Sequence, residues 1–333
     1  LPKAANPDDP RLIIGNKSAS LLDIGHGVAC LSFHSKMNTL NDEIIDLLPK
    51  VVAKVDQSFA GLVISNDGDH FSAGANLVSI LTAIDAGDFA AIERMIRNLQ
   101  AGLQLIKFAP FPSVSAPHGL TLGGGCEVSL HASRCLIAND CFAGLVEVGV
   151  GLIPAGGGTK ELAIRSYELA SRGDQADPMP YLQRAFGLIG MGKTSSSGRE
   201  ARAMGLYPME SSLSMSRDHH THQAKSMVLA MSDLGYAAAI PHQALKVPGD
   251  PAIQTFKMML YNMQEGKQIS AYDSFVGECV ATVLCGGPVD GGSLVSEQYF
   301  LELERSVFIE LCKRPETRAR IDHMLKTGKP LRN

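Results

Sequence analysis

The chain has 333 residues, is 45% hydrophobic, and sets 30 basic side chains against 34 acidic ones for a net charge of -4. That is ample apolar material for one large core or two smaller ones, with no nucleic-acid footprint in the charge balance. No apolar run approaches the roughly 18 residues of a membrane span, and no signal-peptide pattern occurs. Seven cysteines without a C-x-x-C pair argue against a disulfide framework or a structural zinc site and fit a reducing cytoplasm. The chain starts Leu1-Pro2-Lys3, without Met, and reads as a processed product or a piece of a longer protein. Residues 1–18, with Asn6-Pro7-Asp8-Asp9-Pro10, read as a linker.

Ser20–Ile24 and Val28–Phe33 are predicted strands around Gly25-His26-Gly27, a hairpin signal rather than a dinucleotide fingerprint. Asn41–Val55 carries Ile44, Ile45, Leu48, Val51, Val52 and Val55, the one-sided pattern of a helix. Gly61–Ser65 suits a buried strand, and Asn66–Asn76 is a loop rich in Gly, Asp and Ser. Phe89, Ile92, Ile96, Leu99, Leu103 and Ile106 recur at three- and four-residue spacing and predict an amphipathic helix over Phe89–Ile106. Ser113–Ala116, Cys135–Ala138 and Cys141–Ala143 are short strand candidates, with a helix from Gly124 to Ser133 between the first two. Alternating strands and helices imply an α/β sheet with ligands at loop ends. Gly156-Gly157-Gly158-Thr159 opens another helix, as an anion site or as a tight turn. Residues 171–198 are turn-rich, at Gly173-Asp174, Asp177-Pro178-Met179-Pro180 and Thr194–Gly198, around one helical piece. Ser197-Gly198-Arg199-Glu200 has the capping-box pattern. From about residue 241 the chain reads as all-helical, with Leu294, Val295, Tyr299, Leu303, Val307, Phe308 and Leu311 on one face.

Two small-residue loops carry the chemistry. Gly123-Gly124-Gly125-Cys126-Glu127 puts free N–H groups at a helix start, where negative charge is stabilised. Phe71-Ser72-Ala73-Gly74-Ala75-Asn76-Leu77 is a second such loop. One donor from each would form an oxyanion hole, and ordinary packing turns are the alternative. Glu127 falls among small and apolar residues, where a glutamate is costly unless paired or functional, and Glu147 lies in the apolar stretch Gly144–Ile153. The alternative for these is two half-exposed loop glutamates. If both face one cavity, repulsion and desolvation separate their pKa values and leave one acid and one base. Asp218-His219-His220-Thr221-His222 reads as a solvated helix start rather than a metal site. His70 and His118 flank the glycine loops and default to satisfied loop histidines. Cys126 reads as a small packed residue rather than a nucleophile.

These residues resemble the crotonase (enoyl-CoA hydratase/isomerase) superfamily over roughly residues 15–235. The resemblance rests on Asn38-Thr39-Leu40-Asn41, the 71–77 and 122–127 loops, Glu147-Val148-Gly149-Val150-Gly151-Leu152-Ile153-Pro154, Gly157-Gly158-Thr159 and Ala201-Arg202-Ala203-Met204-Gly205-Leu206, in family order. It implies an α/β, crotonase-like spiral of ββα units over 19–240, with an all-helical C-terminal extension at 241–333, assembled as a homo-oligomer, usually a trimer. By the same resemblance the oxyanion amides fall on Ala75 and Gly124 and the hydratase glutamates on Glu127 and Glu147. Ala73, Gly74, Gly123 and Lys36 fall on the coenzyme A side. The implied activity is hydration of a trans-2-enoyl-CoA with no metal and no cofactor, coenzyme A being part of the substrate. Two alternatives stay open: Δ3-Δ2 isomerisation on the same enolate, and a non-catalytic acyl-CoA-binding or assembly module.

The chain departs from the family in having Asn76 where Asp is common, and Ser35 then Lys36 where a Lys is common. The segment between Thr159 and Ser197 is longer than usual. The tail from Val295 to Pro330 resembles the end of bacterial β-oxidation proteins in which a 3-hydroxyacyl-CoA dehydrogenase precedes a crotonase part. A missing N-terminal, NAD-dependent dehydrogenase domain outside this chain is the partner so implied.

Overall fold

The computed structural model describes residues 1, 6–172 and 177–333. In chain order the elements are β1 (Leu12–Gly15), β2 (Ala19–Asp23), β3 (Val28–Phe33), α1 (Asp42–Ser58), β4 (Gly61–Ile64), α2 (Leu77–Asp85), α3 (Phe89–Lys107), β5 (Ser113–Ser115), β6 (Gly119–Leu122), α4 (Gly124–Leu130), β7 (Arg134–Ala138) and β8 (Cys141–Gly144). There follow α5 (Gly158–Ser171), α6 (Met179–Ile189), α7 (Gly198–Ala203), β9 (Ser212–Ser214), α8 (His220–Asp233), β10 (Leu245–Lys246), α9 (Gly249–Glu265), α10 (Ala271–Leu284), β11 (Leu294–Val295), α11 (Glu297–Cys312) and α12 (Pro315–Thr327). Single 3-10 turns occur at Lys36–Asn38 and Glu147–Val150. Among the described residues no helix is long and apolar enough to cross a membrane.

The chain separates into two compact units, and neither is a contiguous segment. The first comprises residues 1–76, 98–144 and 194–240; the second comprises 77–97, 145–193 and 241–333. The helical C-terminal segment therefore does not form a unit alone: the 77–97 and 145–193 stretches cluster with it.

In the first unit, seven strands form a sheet in the order β1-β2-β3-β4-β5-β7-β9. β1, β2 and β3 pair antiparallel, and each later pairing from β3·β4 onward is parallel. Val28, Cys30, Val63 and Val114 meet Ala224 and Val228 of α8 in one buried cluster. Strand alternation sends Ala29, Leu31, Leu62 and Ile64, all buried, to the opposite side. β6 and β8 make a separate parallel pair. The α1 helix starts where the sequence places it, because Asn41 caps it by accepting from the Ile44 N–H at 3.1 Å, and Ile44, Ile45, Leu48, Val51 and Val55 are buried.

The second unit is built mainly of helices. Phe186 of α6 meets Phe256 of α9 with ring centroids 4.8 Å apart, and Tyr167 of α5 meets Phe300 of α11 at 6.2 Å. Arg318 of α12 forms a 2.6 Å ion pair with Asp85 of α2.

Several expectations change. Residues 12–15, read within a linker, form the edge strand β1, whose Ile14 and Gly15 register on Leu21 and Ser20. The helix predicted to Ser133 ends at Leu130. The segment beyond 241 is helical as expected, through α9–α12, with one short addition: Leu245–Lys246 and Leu294–Val295 pair antiparallel. Leu294 is exposed, and the buried residues of α11 are Glu297, Phe300, Leu301, Glu304, Phe308, Leu311 and Cys312. Ser197 does cap α7 by accepting from the Glu200 N–H at 3.2 Å. The reciprocal half of the box is displaced by one residue, because the Glu200 carboxylate accepts from the Ser196 N–H at 2.6 Å. The Gly173-Asp174 turn lies outside the described residues.

Candidate active site

The glycine run sets the geometry. Gly123 takes φ 51° and ψ -125°, a conformation L side chains rarely adopt, and donates its N–H to the Gly144 carbonyl at 2.8 Å. That turn leads from β6 into α4, whose first N–H groups have no partner within the helix. The 71–76 loop lies directly against this helix start. A Cβ on Gly74 would be 3.5 Å from the Gly124 nitrogen, and one on Gly124 would be 3.6 Å from the Ala75 nitrogen.

The loop is fastened on each side. Ser72 donates to Leu120 at 3.1 Å and accepts from Leu122 at 3.0 Å; Ala73 donates to the Met37 carbonyl at 3.0 Å. Leu40 donates to Gly74 at 2.8 Å, and Asn76 donates to Leu40 at 3.0 Å. The N–H groups of Ala75 and Gly124 are left out of this network, as is that of Gly125 one residue into α4. Two adjacent, rigid, undedicated donors are what an oxyanion hole requires.

Glu127 lies one turn into α4 and is 2% exposed. Its Oε2 is 3.8 Å from where a Gly124 Cβ would sit, so the carboxylate folds back over the helix start beside those donors. The positive end of the helix offsets part of the cost of burying it. His131 fixes the far end of α4 through a 2.7 Å bond between its Nδ1 and the Glu127 carbonyl.

The first unit thus brings together Ala75, Gly124, Glu127, Ala73, Gly74 and Gly123. Lys36 is exposed, one residue from the Met37 carbonyl that holds Ala73. Glu147 belongs to the second unit. It opens the 3-10 turn Glu147–Val150, is partly exposed, and accepts from the Leu152 N–H through its backbone carbonyl at 3.1 Å.

The Gly156–Gly158 segment is a capping turn whose anion comes from the protein. Gly157 (φ 110°) caps α5, and the Lys160 N–H donates to the Glu304 carboxylate at 2.6 Å. The Lys160 ammonium, fully buried, pairs with Glu161 and, at 2.8 Å, with Glu297. Local sequence gives no hint of Glu304 or Glu297, which come from α11, more than 130 positions away.

The histidines are structural. His220 is not part of a solvated helix start: it is fully buried and bonds the Leu136 carbonyl at 2.7 Å. His118 is also buried, its two nitrogens 3.2 and 3.1 Å from the Ala116 and Gly68 carbonyls. Burial first, and the nearby Arg217 cation second, push its pKa down to about 4, so it is neutral at pH 7 and donates from only one nitrogen. His70 accepts the Leu120 N–H at 3.3 Å. Cys126 is fully buried within α4. Among the described residues no group of three or more His, Cys, Asp and Glu side chains is arranged to hold a metal ion.

A mostly parallel sheet with a glycine-opened helix beside an undedicated N–H pair defines a crotonase-fold protein, and solved structures share that fold. An enoyl-CoA hydratase from Bacillus halodurans matches with a TM-score of 0.62 at 16% identity, over 92% of this chain and 99% of its own. A carnitinyl-CoA dehydratase from Mycobacterium thermoresistibile matches with a TM-score of 0.63 at 17% identity, over 94% and 91%. Residues 26–169 match the family model described as Enoyl-CoA hydratase/isomerase. A Bacillus subtilis protein named "Probable 3-hydroxyacyl-CoA dehydrogenase" is 39% identical over 322 residues, covering 97% of this chain and 40% of the relative. The alpha subunit of the fatty acid oxidation complex of Shewanella amazonensis is 34% identical over 154 residues, 44% of this chain and 21% of its own length. The chain thus spans at most about 40% of these curated relatives.

Proposed function

We propose that this chain is an enoyl-CoA hydratase that adds water across a trans-2-enoyl-CoA. The observation that carries the reading is the pair of undedicated N–H groups on Ala75 and Gly124 with the Glu127 carboxylate beside them. A thioester oxygen accepting from both amides would carry the charge of the enolate, at about 3–4 kcal/mol per donor in the transition state. Glu127 removes a proton from water as the oxygen bonds to the β carbon, and Glu147 delivers a proton to the α carbon. Water is consumed whole and nothing is oxidised, so the step calls for no redox cofactor; coenzyme A arrives with the substrate. Ala73, Gly74, Gly123 and Lys36 are assigned to the coenzyme A side.

The product, a 3-hydroxyacyl-CoA, is the substrate class in the Bacillus subtilis relative's name. This supports a bifunctional protein whose NAD-dependent dehydrogenase part lies outside these residues. We assign it to the cytoplasm and to a homo-oligomer. Hydration of crotonyl-CoA tests the reading. Glu127→Gln and Glu147→Gln should each lower kcat about a hundredfold or more. Unchanged hydration in both variants would refute the mechanism, and turnover of a 3-enoyl-CoA without hydration would make the chain an isomerase.

A further inference from the structure

We infer that Thr317 and Arg320 of α12 are positioning residues for Glu147, whose turn they hold in place within the second unit. The inference rests on the catalytic reading of Glu147 given above, and all its contacts lie within the second unit.

Glu147 opens a single 3-10 turn, Glu147–Val150. One turn of helix fixes many dihedrals for few hydrogen bonds and does not hold itself. Its last carbonyls also need donors. Two of those donors come from α12. The Thr317 hydroxyl donates to the Gly151 carbonyl at 2.7 Å, and the Arg320 guanidinium adds a second donor, at 3.4 Å, to the Val148 carbonyl that already accepts the Gly151 N–H at 3.1 Å. Thr317 and Arg320 are three positions apart, on one face of the helix, and both are fully buried.

The seating is close. Gly151 ends the turn at φ 76°, and a Cβ there would lie 2.9 Å from Thr317 Oγ1 and 3.2 Å from Arg320 Cδ. The two side chains are held from behind by α10. Arg320 pairs with Asp273 at 2.8 Å and lies over the Tyr272 ring, 4.9 Å from its centroid. The Tyr272 hydroxyl is 2.6 Å from Thr317 Oγ1. Asp273 is fixed in turn by the capping box it forms with Ser270 at the start of α10. Burial raises its carboxyl, but the Ser270 N–H and Arg320 outweigh that and keep it below the usual range.

A buried guanidinium is a costly way to pack a helix, and an apolar side chain of similar size would serve packing alone. What it adds is a directed donor on a carbonyl one residue from Glu147. A shift of about 1 Å in a reacting group can cost a hundredfold in rate, so this support should register in kcat.

The test uses the full chain and crotonyl-CoA. Thr317→Val keeps the branched shape and removes the donor. It should lower kcat about tenfold while KM stays within about twofold, and Thr317→Ser should restore most of the rate. In a Glu147→Gln background the same change should leave residual hydration unaltered, since the group to be positioned is gone. Thermal unfolding of each variant confirms that folded protein is compared. Arg320→Lys should shift kcat in the same direction, and it carries the test if Thr317→Val does not fold. A folded Thr317→Val or Arg320→Lys chain with wild-type kcat overturns the positioning role, as does an undiminished effect in the Glu147→Gln background. Normal hydration by Glu147→Gln alone would instead remove Glu147 from the mechanism, and the positioning role with it.

Discussion

Gly125 stands so close to Ser72 that a Cβ placed on it would lie 2.5 Å from the serine Cβ and 2.7 Å from the serine carbonyl oxygen. The third glycine of the run therefore serves the approach of two loops more than the anion-binding turn. Since Ser72 is fastened by backbone bonds to Leu120 and Leu122, it cannot simply rotate away. Gly125→Ala should displace the 71–76 loop from α4 and cost about 1–3 kcal/mol of stability. Because the same loop presents Ala75, hydration should fall further than stability. Thermal unfolding and crotonyl-CoA kinetics on one preparation check both, and a variant with wild-type kcat and Tm would contradict the role given to this contact.

The parts legible in sequence were those written locally. The α1 and α3 helices follow from apolar spacing, and the start of α1 follows from Asn41. The glycine loops and Glu127 stood out because a charged residue among small buried ones breaks the local rule. Short elements were missed. The β6 strand is four residues long with only Thr121 buried, so it has no alternation to read. The α2 helix was missed although Leu77, Ile80, Leu81 and Ile84 stand at helical spacing, because it is only nine residues long and follows directly on the 71–76 loop. Long-range support was also invisible. Thr317 meets Gly151 across 166 positions and Arg320 meets Val148 across 172, and a bond to a backbone carbonyl leaves no trace in the acceptor's side chain.

The buried charge cluster on α5 gives a second prediction. Lys160 is fully buried and binds Glu161 and Glu297, and its own N–H binds Glu304. Lys160→Met fits the space but removes the cation from two buried carboxylates. Taking one partner from a buried ion pair costs about 3–5 kcal/mol, far more than the pair adds over apolar packing. The single variant should therefore unfold at markedly lower urea, and Lys160→Met combined with Glu297→Leu should recover part of the loss. Equal midpoints for single and double variants would count against a coupled pair.

Acid sensitivity follows from His118. Its imidazole has an ordinary pKa of 6.5 and is pushed down to about 4 in the fold by burial and by Arg217. Between those values the unfolded chain binds a proton that the folded chain does not, so stability rises with pH across that window. The contribution is fully present above pH 6.5 and is lost as pH falls to about 4, amounting to about 3 kcal/mol. His220, lowered chiefly by burial, acts in the same direction. Urea unfolding at steps from pH 7.5 to 4.5 should show a falling midpoint, and His118→Gln should flatten the slope without removing it. A variant as steep as the wild type would show that His118 is not the group responsible.

The cysteines supply a chemical check on the core. All seven are free thiols, and every one except Cys279 is buried. Burial pushes the thiols of Cys30, Cys141, Cys279, Cys285 and Cys312 up to about 12, so almost no thiolate exists at neutral pH. The thiolate is the nucleophile, and a thiol both protonated and enclosed reacts only when the fold opens. A chromogenic disulfide added to the native chain at pH 7.5 should be consumed slowly, with Cys279 first, while in denaturant all seven should react at once. Cys126, inside α4 beneath the proposed oxyanion hole, should be protected as long as α4 stays folded, and Cys126→Ser should retain hydration. Fast labelling of Cys126 in the native chain, or loss of hydration in a folded Cys126→Ser variant, would mean that this thiol takes part in the chemistry and that Glu127 does not act as the base alone.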